Sequence, residues 1–76
     1  MTHEFVPQIG FIGAGRAGCS LGMYFKNHGL TVNGYYSRTA ESAKSAASFT
    51  DTVYYESITK LVSDCNIIFI TVSDSS

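Results

Sequence analysis

"IGFIGAGRAGCSLGMYF" (residues 9–25) decides how the chain folds. It passes from an apolar run, through Gly13-Ala14-Gly15-Arg16-Ala17-Gly18, into a segment of helical pattern. The run over residues 8–13 is short, apolar and bounded by a proline and a glycine turn, so it reads as a strand. Beyond the turn, from Arg16 to His28, Ala17, Leu21, Tyr24, Phe25 and His28 recur at helical spacings. His28 sits in the last turn, favourable toward the dipole, and Gly29 supplies a left-handed cap.

A GxGxxG spacing alone is weak; a strand before it and a helix after it give it meaning. Gly13 lets the chain turn off the strand, Gly15 admits a diphosphate close to the backbone, and Gly18 lets the helix pack on the strands. The diphosphate would rest on free N–H groups at the helix N-terminus, where the macrodipole is positive. Ala14 and Ala17 are small enough not to obstruct it. The bland alternative is a ligand-free bend, since glycine in such turns serves backbone geometry first. Three glycines at these offsets after a strand favour nucleotide binding.

Working outward, "TVNGYY" (residues 31–36) is β-branched and aromatic, a second strand despite Gly34. Ser37 or Thr39 can cap an Ala- and Ser-rich helix over residues 40–49. "DTVYYE" (residues 51–56) is a weak third strand, and Ser57 caps the short helical stretch "ITKLVS". "NIIFITV" (residues 66–72) is continuously apolar, as expected of a strand covered on both faces. The order β-α-β-α-β-α-β predicts an α/β fold: a parallel sheet of order 3-2-1-4 with interleaved helices, a partial Rossmann fold.

The end of strand two discriminates among nucleotides. NAD-preferring sites place Asp or Glu there for the ribose hydroxyls. Here "YYSRT" (residues 35–39) has no carboxylate until Glu41. Arg38 can pair with a 2′-phosphate and lie along the adenine face, while Ser37 and Thr39 add donors. That trio favours NADP over NAD. On the alternative reading, Ser37 and Thr39 are only caps and Arg38 is solvated. Arg16 has two equal readings, one toward a phosphate or the nicotinamide and one outward. Val72 and Ser73, at the carboxyl edge of the sheet, are expected near the nicotinamide ribose; Asp74 reads better as a helix cap.

The chain has 76 residues and a net charge of −1, which fits one small domain or part of a larger one. A core of this size is marginal. With no basic cluster, no nucleic-acid partner is expected. No apolar run approaches membrane-spanning length, and "MTHEFVPQ" lacks the pattern of a signal peptide. Cys19 and Cys65 have no metal-ligand spacing and read as buried small apolar residues in a reducing compartment, so no metal and a cytoplasmic location are expected. His3 and Glu4 lie in a polar lead over residues 1–7, and the five tyrosines read as packing or edge residues. No catalytic set is placeable. The chain stops where another helix would normally start. It is therefore expected to be a piece of a longer protein, or to self-associate through the open edge of strand four.

At "GFIGAGRAGCSLGMYFKNHGLTVNGYYSRTAESA…NIIFITVSD" the chain resembles the N-terminal Rossmann domain of NADP-dependent reductases. These include the 6-phosphogluconate and 3-hydroxyisobutyrate dehydrogenases, pyrroline-5-carboxylate reductase and the ketopantoate reductases. It looks nearest to a bacterial group of predicted oxidoreductases in which this domain precedes a helical C-terminal domain. The resemblance implies that Gly13, Gly15, Arg16, Ala17 and Gly18 form the diphosphate loop. It further implies that Ser37, Arg38 and Thr39 hold the adenosine phosphate, with Val72 and Ser73 near the nicotinamide ribose. Relatives usually carry proline where Ser73 stands. They also place substrate-binding and proton-transfer residues largely in the C-terminal domain. The implied role is the cofactor-binding segment of an oxidoreductase acting on a small carbonyl or imine. A non-catalytic dinucleotide-sensing module is the rival; a methyltransferase is disfavoured because its cofactor also wants an acidic residue after strand two.

Overall fold

The computed structural model describes residues 6–71. Seven elements follow one another: β1 (Gln8–Ile12), α1 (Arg16–Asn27), β2 (Thr31–Tyr36), α2 (Ala40–Thr50), β3 (Val53–Tyr54), α3 (Ile58–Asp64) and β4 (Ile67–Ile70). All strand pairs are parallel and the sheet order is β3-β2-β1-β4, as the alternation of strands and helices requires. Beyond β3, the Tyr55 N–H donates to the Tyr35 carbonyl (2.8 Å), so pairing continues past that two-residue strand.

The two faces of the sheet are built differently. On the face carrying α1 and α2, Phe11 of β1 is fully buried and gathers an aromatic cluster from four elements. Its ring stacks on Tyr35 of β2 (4.9 Å between centroids), Phe69 of β4 (5.6 Å) and Phe25 of α1 (6.4 Å). Each such pair adds roughly 0.5–1.5 kcal/mol beyond simple area burial. Ala43, Ala46 and Ala47 of α2 complete this core, small enough to bring the helix close to the strands. The Lys26 ammonium donates to the Thr50 and Asp51 carbonyls (2.7 and 3.1 Å), so α1 satisfies the C-terminus of α2.

On the opposite face only α3 covers the sheet among the described residues. A Cβ on Gly10 would stand 2.6 Å from the Cys65 sulfur and 2.8 Å from a Leu61 methyl, so glycine here is what lets α3 lie down. The register between β1 and β2 slips at Ile9/Gly10, with one extra residue, Asn33, on β2. The slip leaves Val32 in the core beside Ile9 and turns the Asn33 amide toward α3, where it donates to the Asp64 carbonyl (3.0 Å).

One local expectation, that for β4, is corrected, and α1 shows a buried face set by glycine. In α1 the buried positions are Gly18 and Gly22, with Leu21 and Phe25 packed beside them; Ala17 and His28 are exposed and Tyr24 is 56% exposed. The helix meets the sheet through glycines, so the apolar spacing that announces the helix does not mark its buried face. β4 is not covered on both faces, for it lies at the sheet edge: Ile67, Ile68 and Phe69 are half-buried and Ile70 is 68% exposed. Among the described residues no helix is long and apolar enough to cross a membrane, and no group of three metal-ligating side chains forms.

Candidate functional site

The glycine turn lies at the carboxyl edge of the sheet, between the ends of β2 and β4. Gly13 takes φ +102°, a conformation closed to most L residues, and this swings the chain off β1. Its N–H donates to the Tyr36 carbonyl (2.7 Å), which ties the turn to the end of β2. Gly15 is the N-cap of α1, and the first helical hydrogen bond runs from the Cys19 N–H to the Gly15 carbonyl (3.1 Å). The N–H groups of Arg16, Ala17 and Gly18 therefore have no partner within the helix. Among the described residues no side chain caps this end, and no carboxylate occupies its first turn.

Gly18 faces the sheet. A Cβ there would stand 2.9 Å from the Thr71 hydroxyl and 3.5 Å from the Tyr35 ring. The Tyr35 hydroxyl runs beneath α1 and donates to the Gly18 carbonyl (2.8 Å), and burial pushes its pKa up to about 12. Burial likewise raises the Cys19 thiol above its ordinary value, so it stays protonated at neutral pH.

A cleft of about 710 Å³ joins the glycine turn to the end of β2. Gly13, Ala14 and Gly15 form one wall; Tyr36, Ser37, Arg38, Thr39 and Ser42 form the other, with Ile12 and Ile58 supplying apolar surface. Arg38 is the one charged residue among them, so it gives this wall a positive charge. Ser37 shapes its wall by accepting from the Thr39 N–H (3.3 Å), while Thr39 stands at the N-cap of α2 without a side-chain capping bond.

Six of the expected residues thus meet across one cleft: Gly13, Ala14, Gly15, Ser37, Arg38 and Thr39. Gly18 is buried beneath the turn, Ala17 is exposed outside the cleft lining, and Arg16 borders a second, more open hollow that shares Ala14 and Gly15 with the cleft and runs on to Cys19, Ser20 and Phe49. Val72 and Ser73 lie outside the described residues. Sequence reading missed Ile12 and Tyr36, which flank the expected residues at the ends of β1 and β2, and Ser42 and Ile58, which reach the cleft from the first turns of α2 and α3. Nothing in their local pattern singles them out.

Comparison with known proteins agrees with this geometry. The chain matches the structure of UDP-N-acetylglucosamine 3-dehydrogenase GnnA from Acidithiobacillus ferrooxidans in two crystal forms, with TM-scores of 0.81 and 0.77. Identity is 19% in both, and the match covers 95% of this chain but 24% of the GnnA chain. At that identity the likeness speaks for the fold. No curated protein sequence matches. The family model for the NAD binding domain of 6-phosphogluconate dehydrogenase matches residues 8–76, from the first residue of β1 onward. The chain belongs to that family, as a Rossmann-like dinucleotide-binding domain.

Proposed function

We propose that this chain is the NADP-binding segment of an oxidoreductase. The observation that carries the reading is the cleft itself: Arg38, Ser37 and Thr39 face the glycine turn, and no carboxylate lines the wall where ribose hydroxyls would be held. The diphosphate rests on the free N–H groups of the uncapped α1 N-terminus, beside Gly13 and Gly15. The Arg38 guanidinium pairs with the 2′-phosphate, and the Thr39 hydroxyl, not engaged in capping, adds a donor. When bound, the cofactor supplies hydride chemistry. This chain's own residues bind and orient it.

The reaction proposed is hydride transfer to or from a small carbonyl or imine, with substrate and proton-transfer groups outside residues 1–76. Residues 1–76 are read as the first part of a cofactor domain. The exposed Ile70 on edge strand β4 supports this, since further structure or a second copy of the chain would cover it. The free thiols of Cys19 and Cys65 support a reducing, cytoplasmic setting. Titration of the chain with NADPH and NADH, followed by nicotinamide fluorescence, tests the ligand. NADPH binding tighter than NADH by about tenfold is expected from a charge-assisted contact. Equal affinities, or a preference for NADH, would overturn the NADP reading.

A further inference from the structure

Thr71 follows β4 and is half-buried against the glycine turn. Its N–H donates to the Ile12 carbonyl (2.8 Å), extending the β1–β4 ladder by one residue. Its hydroxyl donates to the Gly13 carbonyl (3.4 Å) and stands 2.9 Å from the place a Cβ on Gly18 would take. On the other side, the Gly13 N–H is held by the Tyr36 carbonyl at 2.7 Å. The first glycine of the turn is therefore held from both neighbouring strands, tightly at its N–H by the end of β2 and through a longer hydrogen bond at its C=O by the end of β4.

That grip matters because Gly13 has no Cβ to limit the rotation of its peptides and sits at φ +102°. The Gly13–Ala14 peptide is trans, so its C=O and N–H point in opposite directions. With the carbonyl turned to Thr71, the Ala14 N–H turns away from β4, and Ala14 itself lines the cleft with Gly13 and Gly15.

We infer that Thr71 is a positioning residue for the diphosphate, its hydroxyl holding the Gly13–Ala14 peptide so that the Ala14 N–H faces the bound anion. The inference rests on the dinucleotide reading above and assigns a role that Arg38 cannot share. Thr71 acts on the diphosphate half of the ligand, Arg38 on the 2′-phosphate.

The test compares three ligands on the same chain: NADPH, ADP-ribose (a diphosphate without a 2′-phosphate) and adenosine 2′-monophosphate (the reverse). Thr71→Val, which keeps the volume and removes the hydroxyl, should weaken NADPH and ADP-ribose by about three- to tenfold, the loss of one neutral hydrogen bond's worth of ordering. Adenosine 2′-monophosphate should bind as before, and Thr71→Ser should restore the other two. If valine packs badly beside Gly18, Thr71→Ala removes the same hydroxyl and should show the same split. Unchanged affinity for all three ligands, or an equal loss for all three, would overturn the positioning role. Failure of the unsubstituted chain to bind NADPH or ADP-ribose would instead refute the dinucleotide reading on which it stands.

Discussion

The Tyr35 hydroxyl donates a hydrogen bond to the Gly18 carbonyl at 2.8 Å, joining the end of β2 to the third glycine of the turn. Tyr35 is fully buried, its ring stacked on Phe11 and its hydroxyl passing beneath α1 next to Gly22. The next residue, Tyr36, begins the far wall of the cleft, and Ser37 and Arg38 follow it. The spacing between glycine turn and basic wall is thus set by a core contact, which lets a small domain hold a site open at its surface.

That contact should reveal itself in a mutant cycle. Tyr35→Phe removes a buried hydrogen bond and should cost about 1 kcal/mol in urea unfolding. Gly22→Ala should cost more, about 2–3 kcal/mol, because its Cβ overlaps the Tyr35 hydroxyl. In the double variant the hydroxyl is gone and the methyl has room. Its loss should therefore fall clearly short of the sum; strict additivity would mean that the two residues do not press on each other.

Alkaline stability follows from the same residue and from Tyr55. Burial pushes the Tyr35 phenol up to about 12, and burial together with the hydrogen bond to the Asp64 carboxylate (3.0 Å) brings Tyr55 to about 12 as well. The folded state favours the protonated phenols. Their stabilisation is complete below pH 10, where the unfolded chain also keeps its protons, and is lost as pH rises from about 10 to about 12. Urea midpoints measured across that window should fall with pH, and the fall should be shallower in Tyr35→Phe and Tyr55→Phe. Identical slopes in all three proteins would contradict the assignment.

Two strand glycines should differ in what they tolerate. A Cβ on Gly10 meets the Leu61 methyl and the Cys65 sulfur, side-chain atoms that can shift. A Cβ on Gly34 runs into the backbone carbonyl of Val53, which can yield only if β3 leaves the sheet. Gly34→Ala should therefore destabilise by about 3 kcal/mol or unfold the chain, and Gly10→Ala by about 1–2 kcal/mol. Thermal melts rank the two directly.

Much of this was legible in the sequence, for reasons that differ element by element. The sheet order followed from strands alternating with helices, and the six-residue glycine spacing together with "YYSRT" pointed to two walls that the fold does bring together. Of the buried face of α1, Gly18 was legible from its place in the glycine spacing and Gly22 was not, because it contributes packing without apolar surface. The bulge at Asn33 has no local sequence mark; it shows only once Ile9 pairs with Val32 and Gly10 with Gly34. Thr71 carries no local mark, since a threonine ending an apolar strand looks like any other strand residue until Gly13 is seen across from it.

On the proposed reading, the glycine turn and Arg38 hold one NADP molecule between them. Dissociation constants for NADPH and NADH, measured for the unsubstituted chain and for Arg38→Ala, test it most directly. Arg38 is exposed and bears no core contact, so its removal should leave the fold intact. The account predicts that NADPH binding weakens by about tenfold or more while NADH binding changes by less than about threefold, erasing the preference for the phosphorylated cofactor. Equal weakening of both, or no change in either, would contradict it.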